Sequence, residues 1–121
     1  MYNSIKIDKP WGFELIWAHT DKYVGKILHV NAGESLSIQY HREKDETMYV
    51  LSGEGKINLF TLDEESVPLL AKSIAAYTGV SVHIKPLQIH NVYAETEMEI
   101  LEVSTNHLED LVRIQDRYDR K

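Results

Sequence analysis

The chain has 121 residues, 43% of them hydrophobic and 26% charged, the balance of a globular protein able to bury one ordinary core. Its net charge of −6 argues against nucleic acid as the main partner, because contact with phosphate backbones needs a basic surface. The absence of cysteine excludes disulfides and thiolate metal sites.

No repeat, low-complexity stretch or linker divides the sequence, so a single domain over residues 1–121 is expected. Neither an apolar signal core nor a run of membrane-spanning length occurs, and a cytoplasmic location without a membrane partner is the default. After the turn Lys9-Pro10-Trp11-Gly12, residues 13–18 and 23–30 read as strands, the second ending at Asn31-Ala32-Gly33. Residues 35–41 alternate Leu36, Ile38 and Tyr40 against Ser35, Ser37, Gln39 and His41. That pattern suits a barrel whose interior holds a polar site. Residues 47–52 and 56–62 flank Gly53-Glu54-Gly55, which predicts a tight hairpin. Residues 67–76, 81–84, 90–94 and 98–103 complete the strands. In residues 106–119, Leu108, Leu111, Val112 and Ile114 fall near helical spacing behind Asn106 as an N-cap, which predicts one short C-terminal helix.

The chemistry concentrates at Gln39, His41, Glu46 and His90. Gln39 and His41 lie two residues apart and so share one strand face, and the polar segment Arg42-Glu43-Lys44-Asp45 can turn the chain so that Glu46 opens the next strand. His90 arrives from a distant strand. Two imidazoles, a carboxylate and an amide oxygen make a nitrogen–oxygen site for a divalent metal, with zinc foremost and nickel, manganese, cobalt or iron as alternatives. Among the other polar groups, His19, His29 and His107 are read as structural, Trp11 and Trp17 as core or edge-covering residues, and Asp63-Glu64-Glu65 as a solvated loop.

The segment from Gly33 to Gly53 resembles the first cupin motif, with Gln39 in place of its first histidine. The cupin domain of type II mannose-6-phosphate isomerases carries glutamine there. Lys9-Pro10-Trp11-Gly12, Leu36-Ser37-Ile38-Gln39 and Val112-Arg113-Ile114-Gln115-Asp116-Arg117-Tyr118 are similar to that family as well. The second cupin motif is irregular: Pro86-Leu87-Gln88-Ile89-His90 lacks the glycine of the usual Pro-x-Gly, and its proline is displaced by one place. Lys44 stands where the family tends to have arginine. The resemblance implies an all-β cupin fold, a double-stranded β-helix or jelly-roll barrel, together with the short helix.

It also implies a metal-dependent aldose–ketose isomerase acting on a sugar phosphate such as mannose 6-phosphate, with a homodimer in keeping with the family. A divalent cation suits that reaction because its charge offsets that of a developing enediolate. Lys44 is the first choice for a phosphate contact, with Arg42, Lys85, Arg113 and Arg117 as alternatives. His83 is a candidate general base beside Glu43 and Glu46. Two rival readings stay open. His41, Glu46 and His90 alone could serve an iron-dependent dioxygenase, and a non-catalytic sugar-binding module would explain the irregular second motif.

Overall fold

The computed structural model describes residues 1–120; Lys121, the last residue of the expected domain, lies outside the described residues. The strands are β1 (Ile5–Lys9), β2 (Gly12–His19), β3 (Tyr23–Val30), β4 (Ile38–Tyr40), β5 (Glu46–Ser52) and β6 (Gly55–Leu62). They are followed by β7 (Pro68–Ala76), β8 (Ser81–Ile84), β9 (Ile89–Ala94), β10 (Met98–Thr105) and β11 (Val112–Gln115). Two antiparallel sheets, ordered β1-β2-β3-β10-β5-β8 and β11-β4-β9-β6-β7, pack face to face as the expected jelly roll. Among the described residues no helix is long and apolar enough to cross a membrane.

Period-two patterning decides what each strand contributes to the interior. Val24, Leu28 and Val30 of β3, Met48 and Val50 of β5, Val92 and Ala94 of β9, and Met98 and Ile100 of β10 are all buried. Trp11, from the turn between β1 and β2, joins this core at 4% exposure. Trp17 instead lies outside at 41% exposure. Its ring covers Gly25, where an added Cβ would fall 2.5 Å from the indole.

Three expectations are corrected. Gly53-Glu54-Gly55 is not a hairpin: β5 and β6 belong to different sheets, and the segment carries the chain from one to the other. Gly53 takes a φ of 86°, and an added Cβ there would lie 2.2 Å from the Glu97 carbonyl oxygen, so the crossing needs glycine for conformation and for space. The alternation in residues 35–41 yields only the short strand β4, because Ser35 and Leu36 make an isolated bridge and a turn contact to β9 before regular pairing begins.

The C-terminal helix is absent as well. Residues 107–110 form a turn, and β11 pairs antiparallel with the free edge of β4 through Val112↔Tyr40, Arg113↔Gln39 and Gln115↔Ile38. The edge of β4 offers unpaired backbone groups, and the β-branched Val112 and Ile114 suit a strand. Tertiary pairing therefore overrides the helical spacing of the leucines. In addition, β1 forms although the sequence patterning did not single it out, paired with β2 from Ile5↔Ile16 to Lys9↔Gly12.

Candidate metal centre

His41, Glu46 and His90 converge from three places in the fold. His41 immediately follows β4, Glu46 opens β5, and His90 sits in β9. Their candidate ligand atoms all lie within 4.8 Å of one another. His41 Nε2 and His90 Nε2 each stand 3.2 Å from the same oxygen, Glu46 Oε1. All three side chains are buried, with no more than 4% of any of them exposed.

The other nitrogen of each ring settles what these atoms can do. His41 Nδ1 lies 2.6 Å from the Asp110 carbonyl oxygen, and His90 Nδ1 lies 2.8 Å from that of Gln88. A carbonyl oxygen only accepts, so both Nδ1 atoms carry the proton, and the neutral form of each ring turns an Nε2 lone pair inward. Glu46 approaches them, yet His41 Nε2, His90 Nε2 and Glu46 Oε1 have no hydrogen-bond partner. Two lone-pair-bearing nitrogens and a carboxylate oxygen are all acceptors, so their short separations are not hydrogen bonds. Buried acceptors gathered in this way fit a cation, with the ring orientations fixed by hydrogen bonds behind the ligands.

Gln39 is placed beside them. It faces His90 directly across the β4–β9 pair, and its Oε1 accepts a hydrogen bond from Ser37 Oγ at 2.6 Å. The amide thus stands next to the His/Glu/His set with its oxygen engaged by Ser37.

The turn before β9 serves both histidines. Gln88 supplies the carbonyl for His90, while the Leu87 N–H donates to the His41 carbonyl oxygen at 2.6 Å. Leu87 holds a φ of 68° at the place of the glycine missing from the second motif, so the irregular sequence keeps the turn in a conformation that leucine disfavours.

Next to His41 and Gln39 opens a cavity of 110 Å³. Its wall includes charged residues that the sequence reading did not identify: Glu14 of β2, Lys26 of β3 and Glu102 of β10. Lys26 and Glu102 are directly opposite across β3 and β10. Lys26 Nζ donates to Glu14 Oε2 at 3.3 Å, and Lys9 Nζ approaches Glu14 Oε1 at 4.0 Å. Lys44 is buried with its Nζ 3.2 Å from Glu102 Oε2 and 3.3 Å from Glu46 Oε2.

Burial alone would lower the pKa of Lys44, but the carboxylates of Glu102 and Glu46 outweigh it and hold the ammonium well above its ordinary range. Glu102 is pushed up to about 7 by burial and then by the negative charge of Glu46, with Lys44 opposing. Glu46 lies well below its ordinary range: burial acts against this, and the Lys44 ammonium is among the groups that favour its carboxylate. The signal for these residues was present in the sequence as a charge set into an inward apolar register, as in Val24-x-Lys26-x-Leu28.

The remaining candidates are placed elsewhere. His83 is not brought to the site; its half-exposed ring on β8 stands 2.6 Å from Asp45 Oδ1. Lys44 reaches the cavity, but as the partner of two carboxylates and not as an exposed phosphate contact. Glu43 points to solvent beside His107, and Arg117 donates to the Gly33 carbonyl oxygen at 2.7 Å. Arg113 does line the cavity, from β11 and not from a helix. His19, His29 and His107 lie outside the cluster, bonded to Asn106, Glu97 and Thr105 respectively.

The sequence profile of the mannose-6-phosphate isomerase C-terminal family matches residues 2–116. The chain belongs to that family. No curated protein matches the sequence. Among solved structures, the capsular polysaccharide assembling protein CapF from Staphylococcus aureus is similar over 96% of this chain and 33% of its own, at 18% identity and a TM-score of 0.73. The chain thus spans about a third of the length of CapF. KdgF from a Halomonas species matches over 88% of this chain and 87% of its own (15% identity, TM-score 0.68). An RmlC-like cupin from Shewanella frigidimarina matches over 88% and 86% (14% identity, TM-score 0.67). At these identities the likeness establishes the cupin fold, and the family's jelly roll is the one seen here.

Proposed function

We propose that this protein is a metal-dependent cupin acting on a small sugar phosphate, as an aldose–ketose isomerase of the mannose-6-phosphate type. The observation that carries the reading is the pair of imidazoles whose Nδ1 protons are tied to backbone carbonyls, so that two Nε2 lone pairs meet Glu46 beside a charged cavity. His41, Glu46 and His90 would hold the cation, with Gln39 as an added oxygen donor. When bound, it supplies Lewis-acid stabilisation of negative charge developing on substrate oxygens.

The cavity side chains supply orientation. Lys9 and Lys26 bring two ammonium groups to the single carboxylate of Glu14, while Glu46 and Glu102 share the one ammonium of Lys44. Lys9 and Lys26 offer the positive charge that a phosphate group needs, and the carboxylate of Glu46 beside His41 suits the cation. Lys44 and Glu102 line the same cavity and can orient substrate hydroxyls. Family membership supports the substrate class.

A coupled assay converting mannose 6-phosphate to fructose 6-phosphate tests the proposal. Turnover should appear when the protein is supplied with a divalent metal and vanish in His41→Ala. Failure with zinc, nickel, manganese, cobalt and iron alike would contradict it. One observation favours a second reading: Ser37 already engages Gln39, which leaves two histidines and one carboxylate, a set that also serves iron oxygenases. Substrate-dependent oxygen uptake by the iron-loaded protein would select that reading.

A further inference from the structure

The cavity is small for its proposed occupant. Its 110 Å³ falls below the ~300 Å³ at which ligand pockets ordinarily begin, so a sugar phosphate needs one wall to move. The walls differ in how firmly they are held. Glu14, Lys26 and Glu102 belong to a continuous six-stranded sheet. The opposite wall is a strap, residues 108–113, contributing Leu108, Asp110, Leu111 and Arg113. Its strand β11 is the outermost of its sheet and pairs with β4 alone. The strap is thus the wall with the fewest strand pairings.

What fastens the strap is Asp110. Its Oδ1 accepts the Arg42 N–H at 2.9 Å, and its Oδ2 accepts those of Glu43 at 2.7 Å and Lys44 at 2.9 Å. These are the amides of the loop joining His41 to Glu46. The same residue's backbone carbonyl takes the Nδ1 proton of His41 at 2.6 Å. One residue of the strap thus grips the loop between two candidate ligands and fixes the ring of one of them. Lifting the strap withdraws both grips together.

We propose that Asp110 is a positioning residue that couples closure of the strap over the cavity to the orientation of His41. The inference rests on the metal-centre reading for its consequence, but the coupling itself is a property of the chain. With the strap down, His41 presents Nε2 to the site. With it raised, the loop amides and Nδ1 are free, and the ring loses the constraint that selects its tautomer. Substrate admitted under a lifted strap therefore meets a completed site only after closure.

The test uses the full chain with Asp110→Ala and Asp110→Asn, and Glu109→Gln as a control, since Glu109 is exposed on the same turn. In metal-free protein, Asp110→Ala should speed amide exchange at Arg42, Glu43 and Lys44 by tenfold or more. It should also convert His41 from a single Nδ1–H tautomer to a mixture in nitrogen-15 spectra. Asp110→Asn keeps one acceptor oxygen and should fall between the variant and the wild type. It also serves as the reporter if the alanine variant does not fold. In cobalt titrations read by the visible spectrum, Asp110→Ala should bind on the order of tenfold more weakly. Glu109→Gln should match the wild type throughout. Unchanged exchange and an unchanged His41 tautomer in both Asp110 variants would overturn the coupling. Wild-type protein that takes up no cobalt would sink the metal-centre reading instead, while the metal-free measurements still decide the role of Asp110.

Discussion

Two polar clusters share the interior of this barrel and meet the demands of burial in opposite ways. Along β2, β3 and β10, the charges of Glu14, Lys26 and Glu102 face partners of opposite sign, with Lys9 and Lys44 completing the set. Beside them, His41 Nε2, His90 Nε2 and Glu46 Oε1 come together with no hydrogen-bond donor among them. A buried polar group left unpaired costs free energy comparable to a lost hydrogen bond, so the second cluster makes physical sense as a place prepared for something else. The contrast teaches that burial and charge alone do not mark a site. What marks it is a set of buried groups that cannot satisfy one another.

Lys44 belongs to both clusters, and replacing it should have the largest effect. Lys44→Met leaves Glu46 and Glu102 facing each other without a cation, which should destabilise the metal-free protein by about 3 kcal/mol in urea unfolding. Adding zinc should recover part of that loss, since a cation then compensates Glu46. No response to metal would break the distinction between the clusters. Lys26→Met should cost somewhat less, about 2 kcal/mol, because Glu14 keeps Lys9. This loss should not respond to metal, and adding Glu14→Gln should restore much of it. A metal-sensitive Lys26→Met would show that the satisfied cluster is part of the metal site. The smallest effect concerns the turn behind His90. Leu87→Gly removes an exposed side chain held at a φ of 68°, and should raise stability by up to about 1 kcal/mol without altering metal binding.

The same contrast explains what could be read in advance. Tyr23–Val30 and Ser81–Ile84 were legible to the residue, because strand periodicity with turn residues at the ends is local information. Gln39, His41, Glu46 and His90 were legible because a period of two and a recurrent motif place them on facing strands. Lys26 and Glu102 left a trace only as charges inside apolar registers, and their pairing depends on which strands become neighbours. The sheet crossing at Gly53 to Gly55 reads locally as a hairpin, since glycines signal a turn without saying which sheet follows. Asp110 was the least legible of all. Its carboxylate bonds amides 66 to 68 residues away, and without that contact and the open edge of β4 its neighbourhood resembles an amphipathic helix. His83 shows the converse error, a reactive side chain close in sequence to the second motif that β8 turns outward to Asp45.

The most direct test of the central claim is metal analysis of the purified protein, repeated on His41→Ala and His90→Ala. The account expects about one divalent ion per chain in the wild type and loss of that ion in both variants, with the fold retained by circular dichroism. Wild-type protein that binds no divalent ion when supplied with one, or equal metal content in all three proteins, would contradict it.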